Sequence, residues 1–281
     1  MSGVHRFADT GTGTPVPPGG SGEYGLANSW TAAGRRLALI GECLDPCTRR
    51  RIESLGPQPG WHCLDIGAGG GSVATWLAGR VAPTGRVVAT DIDTRFLDAL
   101  AVPGLEVWRH DVVREPLPER AFDLIHTRSL LIHLPDRNRI VTELAAALRP
   151  GGWLLLEESD FYPIESVAAP EYRDAWRAVN EVLAAAGMET DWAHTLPGRL
   201  AACGLADVAA EAEVQMFPGA SPMAEMMQLT FAQVEDLVPS PAGRRAVRDA
   251  AAALADPTRW FPATAVLGCR ARQPGQSCPQ R

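Results

Sequence analysis

The sequence contains no lysine: all 26 of its basic residues are arginine. A Tyr-x-x-x-Lys pair of the kind some oxidoreductases use is thereby excluded. Positive charge is not in surplus either. Asp and Glu number 33, the net charge is -7, and a broad basic face for nucleic acid would have to be built against that average. Arg49-Arg50-Arg51 is the only dense basic run, and it reads as a solvated helix turn. No segment approaches the roughly 20 apolar residues that cross a bilayer, and the start lacks the charged, apolar and small-residue order of a signal peptide. The expected setting is cytoplasmic, with no membrane contact. The six cysteines, at 43, 47, 63, 203, 269 and 278, lack the paired short spacings of a zinc site. No metal is expected, and the thiols are expected to be free.

What is present is a chain of 281 residues, 46% hydrophobic, enough for one large domain with insertions. Residues 1–22 are rich in glycine, proline and threonine, with almost nothing large and apolar to bury, and are expected to be a disordered tail. Residues 23–59 have helical spacing and form an expected N-terminal cap, which Pro46 should divide into two helices. Gly56-Pro-Gln-Pro-Gly60 then stops the helix.

From residue 60 the pattern alternates. Strands are expected at 61–66, 86–91, 105–109, 121–126 and 153–157, with helices at 72–80, 94–100 and about 140–148 between them. Such alternation implies parallel strands joined by right-handed crossovers, a doubly wound Rossmann-like α/β sheet. Ligands then sit beyond the carboxyl ends of the strands. After 160 the rhythm changes. Helices near 171–186, 196–203, 223–237 and 243–254 surround two late strands, 208–217 and 264–271. The domain is therefore read as 60–281, with insertions at about 161–203 and 218–262 that cover a substrate.

The glycine cluster in Cys63-Leu-Asp-Ile-Gly-Ala-Gly-Gly-Gly-Ser72 lies between the first strand and first helix, where it serves a nucleoside-containing ligand. A G-x-G-x-x-G fingerprint would need a glycine at 72, which is serine; this weakens a dinucleotide. Asp91 ends the second strand, where a carboxylate can accept from two ribose hydroxyls. After the third strand, Asp111 can accept from an adenine amine while the Val112 amide donates to the ring.

These segments, with Val88-Ala-Thr-Asp-Ile-Asp93, Phe122-Asp-Leu-Ile125 and Leu148-Arg-Pro-Gly-Gly-Trp-Leu-Leu-Leu156, resemble the successive motifs of class I S-adenosylmethionine-dependent methyltransferases, over about residues 60 to 160. The resemblance implies a seven-stranded sheet whose last strand is antiparallel, and S-adenosyl-L-methionine as cofactor. Its glycine turn, Gly67, Ala68 and Gly69, would approach the methionine end. Asp65 would hold the turn and the ammonium group. Asp91 and Ile92 would serve the ribose side, Asp111 and Val112 the adenine, and Thr127 and Arg128 would lie beside the cofactor. Tyr24 and Trp30 would close over it.

No Asn- or Asp-Pro-Pro-aromatic motif follows the fourth strand, which points from nucleobase amines toward a small-molecule acceptor. His133-Leu-Pro135 resembles actinobacterial secondary-metabolite methyltransferases. His133 would face the transferred methyl group as a base for a hydroxyl acceptor. His194 competes for that role, and Glu157, Glu158 or Asp160 would orient the histidine or the substrate. Met223, Met226, Met227, Leu229 and Phe231 suit an apolar pocket or core packing. The expected activity is methyl transfer to a small organic acceptor, most simply a hydroxyl oxygen. Nitrogen or carbon acceptors, an NAD(P)-dependent oxidoreductase, and a cofactor-binding protein without methyl transfer stand as alternatives. A homodimer is left open.

Overall fold

The computed structural model describes residues 30–167 and 169–275. Tyr24, the 1–22 tail and Cys278 lie outside the described residues. The chain opens with α1 (Ala33–Ser54), then alternates β1 (His62–Ile66), α2 (Ser72–Val81), β2 (Arg86–Asp91), β3 (Leu105–Arg109), β4 (Phe122–Arg128), α3 (Arg137–Ala147) and β5 (Leu148–Asp160). There follow α4 (Tyr162–Val167), α5 (Pro170–Ala185), α6 (Leu196–Ala202), β6 (Ala206–Glu213), β7 (Met216–Pro218), α7 (Pro222–Val234), α8 (Pro241–Ala253), β8 (Trp260–Pro262) and β9 (Ala265–Arg272).

Seven strands form one sheet in the order β3-β2-β1-β4-β5-β9-β6. β1 to β5 pair in parallel, and β9 runs antiparallel to both β5 and β6. The central strands are apolar on both faces, because helices cover both. One face packs Leu64, Ile66, Val88, Ile125, Leu154 and Leu156 under α3 and the inserted helices. The other packs Cys63, Val87, Ala89, Leu124 and Leu155 under α2 and the end of α1.

Three local expectations are corrected. α1 runs through Pro46 as one helix of 22 residues. Pro46 has no N–H to give the carbonyl four residues back, but the helix is fastened on both sides of it. Asp45 holds Ser72 and Arg128, while Thr48 and Arg51 reach Glu157. Between β2 and β3 there is only a 3-10 turn, Thr94–Phe96, started by Asp93 accepting from the Arg95 amide. The sixth expected strand divides: β6 stays in the main sheet, and β7 pairs with β8 in a separate ribbon.

The Arg49-Arg50-Arg51 run is not a uniformly solvated turn. Successive helical residues point about 100° apart, so Arg50 faces Glu211 and Glu213 at the surface while Arg51 is buried.

Candidate active site

Beyond the carboxyl ends of the parallel strands lies a cavity of about 870 Å³, within the range of small-molecule sites. Strand order sets its polarity. β3, β2 and β1 bring Asp111, Asp91 and the turn Gly67–Gly70 to one end; the segment after β4 and the end of β5 with the residue after it bring Leu130, Ile132, His133, Ser159 and Phe161 to the other. α1 adds Arg36, Leu37, Ile40 and Leu44 as a wall, and the insertions add Trp176, Met188, Met223, Met226, Met227 and Thr230.

The polar end suits a nucleoside. Asp91 Oδ2 accepts from the Gly69 amide at 3.0 Å and Oδ1 from the Asp93 amide at 3.0 Å. Two backbone donors thus fix the plane of a carboxylate whose remaining lone pairs are available to a ribose diol. Burial pushes this carboxyl up from its usual range, against the pull of those amides. Gly67 is in the left-handed region at φ +66, where any other residue would be strained, and a Cβ there would come within 2.9 Å of the Leu130 methyls and have to displace them. Gly71, at φ +73, opens α2 against Leu97 and Leu100 in the same way. The Asp111 carboxylate accepts from the Val113 amide at 3.0 Å and lies on the cavity wall. Val112 turns its side chain into the core and is not among the cavity-lining residues, which in this segment are Asp111, Val113 and Arg114. Ile92 is 61% exposed and lines the cavity beside Asp91. These residues fit the adenosine half of S-adenosylmethionine.

His133 ends a 3-10 turn, Leu131–His133, and faces the cavity. Burial, with Arg36 and Arg137 nearby, lowers its pKa to about 4, so the imidazole is neutral across the physiological range. Glu158 does not line the cavity. It is fully buried, and its Oε1 accepts from the amides of Leu130 and Leu131, holding the turn that carries His133. Burial raises its pKa to about 7 against those two donors.

Three other expected site residues lie elsewhere. His194 is 60% exposed in its side chain, pairs with Asp160 at 3.2 Å, and is not among the cavity-lining residues. Thr127 is buried within the sheet, away from the lining. Asp65 also lies outside the lining, bound to His126 at 2.7 Å. Arg128 reaches the wall, but its guanidinium donates to Thr48 and Asp45 of α1. The methionines serve both readings offered for them: Met223, Met226 and Met227 are buried in the core and also line the cavity, whereas Phe231 is core only.

Sequence reasoning passed over the lining residues of α1 and α5, for which helical spacing alone gives no direction toward a cavity. It also passed over His126, a buried histidine between two carboxylates. The available signal was three ionisable residues, Asp65, His126 and Glu157, in otherwise apolar strands, where burial demands partners. Among the described residues no group of three or more His, Cys, Asp or Glu is placed to hold a metal, and no helix is long and apolar enough to cross a membrane.

Residues 64–156 match the family model described as a methyltransferase domain. The ubiquinone/menaquinone biosynthesis C-methyltransferase UbiE of Bordetella parapertussis is 35% identical over 121 residues, covering 41% of this chain and 46% of that protein. Methyltransferase GfsG of Streptomyces halstedii is 32% identical over 130 residues, 43% of this chain and 45% of that one. The matches thus span less than half of these relatives' own length. In fold, the chain resembles phosphoethanolamine N-methyltransferase 2 of Haemonchus contortus, solved with S-adenosyl-L-methionine. The TM-score is 0.57 at 15% identity, over 93% of this chain and 62% of that one. Residues 64–156 thus form a methyltransferase domain, and its motif order and sheet topology are similar to those of the class I S-adenosylmethionine-dependent methyltransferases.

Proposed function

We propose that this protein transfers the methyl group of S-adenosylmethionine to a small organic acceptor, by preference an oxygen of a hydroxyl-bearing natural product. The observation that carries the reading is the continuity of one cavity from Asp111, Asp91 and the glycine turn to the chamber of Phe161, Trp176, Met223, Met226 and Met227. A donor and an acceptor can meet there.

S-adenosylmethionine, when bound, supplies an electrophilic methyl on a sulfonium. The chain's own task is alignment. Asp91 would hold the ribose hydroxyls, and Asp111 with the Val112 amide the adenine. The Gly67–Gly70 turn would let backbone approach the methionine end. The apolar wall would orient the body of the acceptor so that its nucleophile lies in line with the carbon and the leaving sulfur. Neutral His133, on the wall after β4, can accept the acceptor's hydroxyl proton. Its lowered basicity suits an acidic hydroxyl, such as a phenol or enol, over an alcohol.

Titration with S-adenosylhomocysteine, with NADH as control, tests the cofactor. Binding of the first alone supports the reading; binding of NADH alone overturns it. A methyl-labelled donor with a panel of phenols and enols then tests the acceptor. The similarity to a protein named as a C-methyltransferase supports including acceptors whose enol presents carbon as well as oxygen.

A further inference from the structure

We propose that His126 is a positioning residue of the cofactor site, one that ties the strand ending in the glycine turn to the helix that walls the cavity. The inference rests on the reading of the cavity as a site for S-adenosylmethionine. His126 lies on β4 directly opposite Asp65 on β1. Its Nδ1 is 2.7 Å from Asp65 Oδ1 and its Nε2 is 3.0 Å from Glu157 Oε2 on β5. All three residues, His126, Asp65 and Glu157, are buried, at 1%, 3% and 0% exposure.

Each ring nitrogen faces a carboxylate oxygen, which only accepts. A neutral imidazole has one N–H and would set its other lone pair against a carboxylate; the doubly protonated ring satisfies both. The cluster therefore alternates in sign from Asp65 through His126 and Glu157 to Arg51. Burial opposes that charge on the ring, but the two carboxylates outweigh it and hold the pKa at about 9.

From Glu157 the contacts pass to α1. Thr48 donates to Glu157 Oε2 at 2.6 Å and Arg51 to Oε1 at 2.5 Å. Arg51 also meets Glu211 of β6 at 2.8 Å. Arg128 donates to Thr48 at 2.9 Å and to Asp45 at 3.1 Å, and Asp45 accepts from Ser72 at 3.0 Å. The glycine turn is thus held from both flanks by one network, through Asp65 two residues before Gly67 and through Ser72 immediately after Gly71. The same network sets the helix whose Leu37 lies against Gly69 and Gly70. Such cooperation among buried hydrogen bonds makes the geometry of the turn depend on a residue that does not line the cavity.

The test is calorimetric titration of S-adenosylhomocysteine into wild type, His126→Gln and Thr48→Val, at about pH 7 and about pH 10, on either side of the range where a raised histidine loses its proton. The probe's own amino group titrates in the same range, so the variants run in parallel separate its contribution. The expected result is roughly tenfold weaker binding by each variant at the lower pH, the scale of a lost hydrogen bond. The wild-type advantage over His126→Gln should vanish at the higher pH. A merely structural role would lower Tm and leave both the affinity and its pH dependence unchanged. Thr48→Val, which keeps the shape of the side chain, decides the matter if His126→Gln does not fold. Wild-type affinity in the folded variants overturns this inference alone. Failure of the wild type to bind S-adenosylhomocysteine withdraws the site reading and this inference with it.

Discussion

Arg51 Nη1 lies 2.5 Å from Glu157 Oε1, with the two side chains 4% and 0% exposed. Burial alone would raise the glutamate; hydrogen bonds from His126, Thr48 and Arg51 prevail and hold it at about 2. Removing the guanidinium leaves that carboxylate short of a partner, and breaking a buried pair on one side costs about 3–5 kcal/mol. Arg51→Met should therefore lower unfolding stability by about that amount at neutral pH, measured with denaturant. The sign follows from the depressed folded pKa: Glu157 stabilises above its unfolded value near 4.5, and the contribution is lost as pH falls toward 2. A stability within about 1 kcal/mol of wild type would mean that the other donors to Glu157 suffice.

Asp91 orders the protein's own backbone and, in the proposed function, also meets the ribose. Its carboxylate orders the Gly69 and Asp93 amides and lies on the cavity wall. Asp91→Ala should weaken S-adenosylhomocysteine binding by about 1.5–3 kcal/mol, the scale of hydrogen bonds to a charged group. Calorimetry reads this directly, and unchanged affinity would remove the ribose assignment. Asp91→Asn should recover part of the loss, since the amide retains one acceptor oxygen.

The parallel sheet was legible because β1, β2, β4 and β5 are apolar runs, with helices between β1 and β2 and between β4 and β5, and the motif residues sit at their ends. Elements that tertiary contacts decide were not. α1 survives Pro46 only because partners distant in sequence hold it, and the three-residue strands β7 and β8 are too short for a periodicity. Asp91 and Asp111 could be located by counting from strand ends. His126 was harder to place: an ionisable residue in an apolar strand demands a partner, but its partners are 61 and 31 residues away and nothing local names them. The assignment of His194 misled for the opposite reason: an insertion near the site need not point its side chain into it.

Glu158 predicts a pH-dependent stability. Its folded pKa, about 7, lies above the unfolded value, so between about pH 4.5 and pH 7 the folded state binds more protons and stability falls as pH rises. Glu158→Gln keeps an acceptor for the Leu130 and Leu131 amides and cannot ionise. Its Tm should match wild type near pH 4.5 and exceed it near pH 8, by thermal unfolding monitored by circular dichroism. A Tm difference independent of pH would show that the carboxyl is ionised throughout and stabilised by its two amides.

His133 and Glu158 have separate tasks: the histidine faces the cavity, and the glutamate holds the turn beneath it. His133→Ala should leave S-adenosylhomocysteine affinity close to wild type, because the ring lies after β4 and away from the residues proposed to hold ribose and adenine. Turnover of a hydroxyl acceptor should fall by about 10²–10⁴, the range for loss of general-base assistance. The pH profile separates assistance from packing. With a histidine titrating near 4, the wild-type rate should show no inflection between pH 6 and pH 7 from this group, and any rise at higher pH should track the acceptor's own ionisation. His133→Gln, which keeps a hydrogen-bonding side chain but cannot take the proton, should retain acceptor KM and lose kcat. If His133→Gln turns over at the wild-type rate, His133 only positions the acceptor, whose proton must then leave to solvent before the methyl group is transferred.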